Sequence, residues 1–286
     1  MRAANLKGSD PFRLRTAVVT IVAGRHEHLV RQRAALDPSV HHVVAGMGDG
    51  EAERLRALLG DSADVIGVPG TPCGLPLARA RNAGARRALA TGAELLVFLD
   101  VDCIPGPDLL ARYAAAAATE PALLCGPVAY LPPAPPGGYP ATGLRALADP
   151  HPARPVPPED GVLTGGDHTL FWTLSFAVTR DTWHRVGAFC EDYVGYGGED
   201  TDYGQSARRA GVGLTWVGGA WAYHQHHPTQ SPPVQHLDDI LRNAAIFHRR
   251  WGWWPMEGWL TAFAERGLVG FEGGRWTRAA DALTHH

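Results

Sequence analysis

Apolar and polar positions come in alternating blocks along the first hundred residues. TAVVTIVAG (16–24) is a continuous apolar run of strand length, and Gly24-Arg25 opens a turn behind it. HLVRQRAAL (28–36) has helical spacing, and HHVVAG (41–46) is a second short strand followed by the turn MGDG (47–50). EAERLRALLG (51–60) predicts a helix stopped by Gly60, and DVIGVPG (64–70) a third strand. LPLARARNAGARRALATG (75–92) predicts a strongly amphipathic helix, and ELLVFLDVD (94–102) the fourth and most apolar strand. This β-α-β-α order predicts the α/β class: a Rossmann-like three-layer α/β/α arrangement on a mainly parallel central sheet. In such sheets ligands bind beyond the carboxyl ends of the strands, where Asp49 and Asp100 both fall.

The second half changes character. GPDLLARYAAAAA (106–118) is a helix and LLCGPVAYL (123–131) a strand. Residues 132–161 are dense in Pro, Gly and polar groups, and a loop of that length inside a domain is usually functional or mobile. FWTLSFAVTR (171–180) predicts a strand, EDTDYGQSARRAG (199–211) a helix, VGLTWVGGAWAYHQHH (212–227) two short strands, and QHLDDILRNAAIFHRRWG (235–252) an amphipathic helix. The expected division is a polar lead over 1–15, one domain over 16–260 and a C-terminal helix or tail over 261–286. Within the domain the expected halves are 16–105 and 106–260, with 132–161 as a mobile loop in the second.

Composition narrows the classes. With 286 residues, 45% hydrophobic and 19% charged, the chain can bury a full core. A net charge of −3 argues against a nucleic-acid binder. Lys7 is the only lysine among abundant Arg, Ala, Gly and Pro, the composition of a GC-rich bacterial genome. The four cysteines, Cys73, Cys103, Cys125 and Cys190, lack metal or C-x-x-C spacing and read as reduced thiols. No apolar run approaches the roughly 20 residues that span a bilayer. A cytoplasmic protein is expected, with peripheral contact at the inner membrane face as an option.

Two acidic signatures carry the chemistry. Asp100-Val101-Asp102 follows the apolar run ELLVFL (94–99), and a strand ending in D-x-D offers hard oxygen ligands at a sheet edge. Mg²⁺ or Mn²⁺ held there would neutralise charge on a leaving diphosphate. Glu199-Asp200 follows GYGG (195–198), a backbone that a substrate can approach closely, with Gly198 nearest the donor. One of these carboxylates would serve as general base and the other would take acceptor hydroxyls. Acidic capping of a helix start is the plainer alternative. His224, His226 and His227 compete as a further metal ligand, and a histidine beside carboxylates tilts the choice toward Mn²⁺ over Mg²⁺. Arg79, Arg81 and Asn82 lie on the helix before the D-x-D strand, where Arg suits a diphosphate. Trp172, Trp216 and Tyr196 are candidate stacking platforms for sugar rings. Trp251, Trp253, Trp254 and Trp259 fit a packed C-terminal helix better than a contact with a lipid-linked acceptor.

Across roughly 16–250 the chain resembles glycosyltransferases of the GT-A fold, family 2-like, with a C-terminal half similar to the β-1,4-galactosyltransferases and polypeptide N-acetylgalactosaminyltransferases. TIVAGR (20–25), ending in Arg25, resembles the first nucleotide-binding strand, and ARARN (78–82) the segment that helps hold the nucleotide. DVD (100–102) matches the metal motif, and FWTLSFAVTRDTWHRVGAF followed by GYGGEDTD (195–202) matches the acceptor and catalytic block. The resemblance implies a metal-dependent inverting transfer from a nucleotide diphosphate sugar to a glycan, glycolipid or small-molecule hydroxyl; it does not carry over the donor's identity, and a UDP-linked sugar is the expected donor. It implies Asp200 as base, with Glu199 and Asp202 on acceptor hydroxyls. His224 followed by Pro232, Pro233, Gln235, Leu237 and Asp238 repeats that family's order after its metal histidine. Asp102 and His224 would thus hold the metal, with Asp100 at the metal or ribose. Tyr196 stands where the galactosyltransferases carry Trp. A nucleotidyltransferase is a poor match, since TIVAGRHEHL lacks the expected Gly-rich triphosphate loop. Retaining transfer on the same fold and a degenerate sugar- or partner-binding protein compete with the inverting enzyme.

Overall fold

A computed structural model describes residues 3–5 and 14–279. The first half gives β1 (Ala3–Asn5), β2 (Thr16–Val22), α1 (His26–Ala35), β3 (His41–Met47), α2 (Glu51–Leu59), β4 (Asp64–Val68), α3 (Leu77–Ala90) and β5 (Leu95–Leu99). Next come β6 (Cys103–Pro105), α4 (Leu109–Ala117), β7 (Ala122–Cys125), β8 (Val128–Tyr130), β9 (Asp149–Pro150) and β10 (Gly161–Thr164). The remainder holds β11 (Ser175–Thr179), α5 (Arg180–Val186), α6 (Glu199–Arg209), β12 (Gly213–Val217), β13 (Ala222–His224), α7 (Leu237–Trp251), α8 (Glu257–Glu265), β14 (Val269–Glu272) and β15 (Arg275–Arg278).

The main sheet runs β1-β10-β12-β7-β11-β5-β2-β3-β4. β4, β3, β2 and β5 are mutually parallel, as the alternating pattern predicts. β11 enters between β5 and β7 antiparallel to both, and β10 runs against β1 and β12. A second sheet, β6-β13-β8-β9, stands beside it. Alternate residues of each central strand feed opposite layers. Val19 and Phe98 join one apolar cluster with Phe176, Trp183 and Tyr203, while Val18 and Val97 join the other with Leu109 and Tyr113. α3 lies directly on β2 because position 84 is glycine; any Cβ there would overlap Val19. Phe98 stacks on Phe176 at 4.6 Å, tying β5 to β11 beneath the D-x-D turn.

Three expectations change. The strand expected from Phe171 begins at Ser175, because Asp167 caps a 3-10 turn at His168–Leu170 and releases Trp172 from the ladder. The 132–161 segment is anchored rather than wholly loose. Arg154 within it is buried and donates to the carbonyls of Gly126 and Trp172. The boundary at 260/261 falls inside α8, which continues into the β14–β15 hairpin rather than a helical tail. Of the 1–15 lead, Ala3–Asn5 adds the edge strand β1, and Lys7 lies outside the described residues.

Candidate active site

A cavity of about 1040 Å³ opens at the carboxyl ends of β2, β3 and β5, lined there by Ala23, Arg25, Met47, Asp100, Val101 and Asp102. Its lining continues through Trp172, Tyr196, Gly198, Glu199 and Asp200, and includes Trp253, Trp254 and Trp259. That volume is at the upper end of single-ligand pockets and leaves room for two substrates.

The D-x-D turn splits its two carboxylates. Asp102 faces His224 at 3.6 Å and His227 at 3.5 Å, and these three can converge on one cation. Arg25, a non-glycine residue at φ 52°, closes on the same Asp102 carboxylate. Burial pushes the Asp102 carboxyl up, but His227, His224 and Arg25 outweigh it and hold it down at about 2. Burial depresses His224, which favours the neutral imidazole that a metal needs, and its Nδ1 is buried with no partner among the described residues. One carboxylate and two imidazoles make a mixed O/N donor set that fits a divalent cation. Asp100 lies apart from this group, because Arg81 draws it away at 3.2 Å.

Arg81 is the buried cation of the floor. It donates to Asp100, to Glu199 at 2.9 Å and to Thr173 at 2.8 Å, so one guanidinium bridges both acidic signatures. Glu199 is thereby ion-paired. Asp200 has no cationic partner among the described residues; its Oδ1 accepts from the Thr201 N–H at 2.7 Å. Burial and the neighbouring Glu199 push the Asp200 carboxyl up to about 7.

The glycine turn that presents this pair is held from α7. The Asn243 amide donates to the carbonyls of Val194, Tyr196 and Gly197 at 3.1, 3.3 and 2.8 Å. Asp239 accepts from the Tyr196 N–H at 3.1 Å. Gly195, at φ +75°, lies so close to the Asp239 carboxylate that no Cβ fits.

Several expected site residues lie elsewhere. Asp202 is 1% exposed and points away from the cleft, where its Oδ1 accepts from Tyr193, Arg250 and Trp251. Asn82 is buried and clamps the Phe189 backbone from both sides. Arg79 pairs on the surface with Glu191, and Asp49 is exposed on the turn after β3; neither lines the cleft. Trp216 is core. Trp172 and Tyr196 do line the cleft, with Trp172 packed on His151 at 5.1 Å. Trp253, Trp254 and Trp259, for which packing is the favoured expectation, line it too. The signals missed were helical phase for Arg81, which shares the buried face with Ala78, Asn82 and Ala85, and the three-residue step from His224 to His227.

No family model matches the chain. It is 28% identical over 210 residues to validoxylamine A glucosyltransferase of Streptomyces hygroscopicus subsp. jinggangensis, covering 62% of this chain and 45% of the relative. The protein of the same name from subsp. limoneus is 29% identical over 210 residues, covering 62% of this chain and 42% of the relative. The chain therefore spans less than half the length of these curated relatives. A crystal structure of GalNAc-T7 with UDP, GalNAc and Mn²⁺ superposes with a TM-score of 0.56 at 16% identity, over 76% of this chain and 45% of that one. No helix among the described residues is long and apolar enough to cross a membrane. The chain has the GT-A fold, and in sequence it resembles glucosyltransferases.

Proposed function

We propose that the chain transfers a hexosyl group from a nucleoside diphosphate sugar, UDP-linked, to an acceptor hydroxyl with inversion. The observation that carries this reading is Asp200: a carboxyl with a raised proton affinity, in no ion pair among the described residues, facing the same cleft as Asp102. The relatives' printed name, a glucosyltransferase, and the GalNAc-T7 complex with UDP and Mn²⁺ support the reaction class.

Asp102, His224 and His227 would hold the cation, and the imidazoles favour Mn²⁺ over Mg²⁺. When bound, that ion supplies charge neutralisation to the departing diphosphate. Asp100, half-buried at the strand end and oriented by Arg81, would meet the donor ribose. Ile21, Ala23 and Met47 give the donor side an apolar wall. Arg81 fixes the negative charge of Glu199, which orients an acceptor hydroxyl, while Asp200 takes the proton of the attacking one. A base contributes most when its proton affinity lies near the working pH, and such a group contributes about 10²–10⁴-fold. Trp172 and Tyr196 flank the acceptor.

Thermal-shift titration with UDP-, GDP-, dTDP- and ADP-sugars, with and without Mn²⁺, tests the donor. The expected result is a Mn²⁺-dependent shift with the UDP sugars. Asp200→Asn should then keep that shift and lose transfer; retained turnover rejects Asp200 as base. Proton NMR of the product should show an inverted anomeric centre, and retained configuration rejects the in-line displacement.

A further inference from the structure

The D-x-D turn rests on the inner face of α1. Leu29 and Gln32, three residues apart, share that face and are fully buried. Val101 packs on the apolar cluster that Leu29 forms with Val22, Val44 and Leu55. Gln32 takes the polar part of the turn. Its Nε2 donates to the Asp100 carbonyl at 2.7 Å and to the Cys103 carbonyl at 2.9 Å, so both amide hydrogens go to the residues that bracket Val101 and Asp102.

The hydrogen bonds behind that amide run one way. A carbonyl oxygen only accepts, so Nε2 must face the turn and Oε1 must face Thr20, whose hydroxyl donates to it at 2.8 Å. That uses the single Thr20 proton. His42, 3.0 Å from the same hydroxyl, therefore donates to it from Nε2. The bare nitrogen of the ring is then Nδ1, which has no partner among the described residues. Burial pushes the His42 imidazole down to about 3, which keeps it neutral. Buried polar groups from β3, β2 and α1 thus form one chain of donors that ends on two backbone carbonyls, and each bond in such a chain strengthens the next. A buried amide is costly unless its groups are paired, and the oxygen and both hydrogens of Gln32 are. The same helix braces the metal cluster a second time. Gln225, beside His224, donates its backbone N–H to the Asp102 carbonyl at 2.7 Å and its Nε2 to the His28 carbonyl at 3.1 Å.

We propose that Gln32 is a positioning residue: it holds the Asp100–Cys103 turn in the form that turns Asp102 toward His224 and His227, and Thr20 and His42 fix the amide that does so. Its benefit to a metal rests on the reading of the Asp102 cluster as a cation site, but its grip on the turn is measurable without any ion.

The test takes two readouts on the full chain. One is amide hydrogen exchange over 100–103 without metal, relative to exchange in β7. The other is Mn²⁺ affinity, from electron paramagnetic resonance of the free ion. Gln32→Leu keeps the apolar volume and removes both donors. It should speed exchange at the turn about 5- to 100-fold and weaken Mn²⁺ about 10–100-fold. Thr20→Val leaves Gln32 in place but frees its amide, so both effects should appear at reduced size, and Thr20→Ser should recover them. Thr179→Ala removes the cap of α5 and should lower stability while changing neither readout. Unchanged exchange in Gln32→Leu overturns the proposal. Faster exchange with undiminished Mn²⁺ affinity also overturns it, since Gln32 would then serve packing alone. A parent chain that binds no Mn²⁺, with a turn still loosened by Gln32→Leu, would sink the cation reading and keep the grip on the turn.

Discussion

On the donor side, Arg25, Asp100 and Asp102 stand just past the ends of β2 and β5, two strands buried along almost their whole length. On the acceptor side, Tyr196 stands on a glycine turn that belongs to no ladder and is held by side chains of α7, and Glu199 and Asp200 open α6 directly behind it. Ladder hydrogen bonds and two apolar layers fix the first set. The second depends on an amide, a carboxylate and close backbone approaches that tolerate no Cβ. Rigidity in one cleft thus comes from two sources, and substitutions will separate them.

The largest expected effect is on the base. Asp200→Asn should lower turnover by about 10²–10⁴-fold in single-turnover assays, with donor affinity nearly intact. Next is the guanidinium shared by both sides. Arg81→Met strips the counter-ion from Glu199 and Asp100, and breaking a buried pair typically costs about 3–5 kcal/mol. Denaturant unfolding of the two proteins measures this, and a cost near zero would mean that the sides are independent. A third variant probes the donor side alone. His227→Ala removes a candidate ligand and should weaken Mn²⁺ more than the about 10–100-fold typical of outer-shell partners, whereas exposed His226→Ala should have no effect. The mirror experiment on the acceptor side is Asn243→Ala. It strands three carbonyls and should cost about 1–3 kcal/mol of stability. It should also lower kcat while leaving the Kd for the donor unchanged; equal loss in both would assign Asn243 to the core rather than to the turn.

A further effect is a pH dependence of stability. The folded chain holds the Asp200 proton more tightly than the unfolded chain, about 7 against 3.8. Stability from this group is therefore lost as pH climbs from about 4 to 7. Asp200→Asn should raise the Tm at pH 8 and leave it unchanged at pH 4, and a shift of the same size at both would reject the raised proton affinity. For the same reason kcat/KM should rise with pH through about 7.

Legibility in the sequence follows the same division. The D-x-D turn announces itself because a five-residue buried strand ends there, and the parallel half of the sheet follows from period alone. The glycine turn before Glu199-Asp200 is equally visible as a motif. What holds it is not, since Asp239 and Asn243 read as ordinary positions on an amphipathic helix. Arg81 is legible only as one of three polar neighbours, and its choice over Arg79 needs the phase of α3 against the sheet. Asp202 misleads because its motif context is the same as that of Asp200. Two positions further along a helix it faces the opposite way, into Tyr193, Arg250 and Trp251. Arg154 sits in a Pro-rich stretch whose pattern carries no sign of burial.

Arg81 also bears on how the molecule comes together. Its three partners lie 19, 92 and 118 residues away along the chain. Contacts of such separation close large loops and form late. A partly folded chain with only β2 to β5 assembled would leave the Arg81 guanidinium with Asp100 as its one partner of the three, a costly state if buried without Glu199 and Thr173 in place. The floor of the cleft is thus completed only as β11 and α6 dock, so binding at the cleft would report completion of the fold.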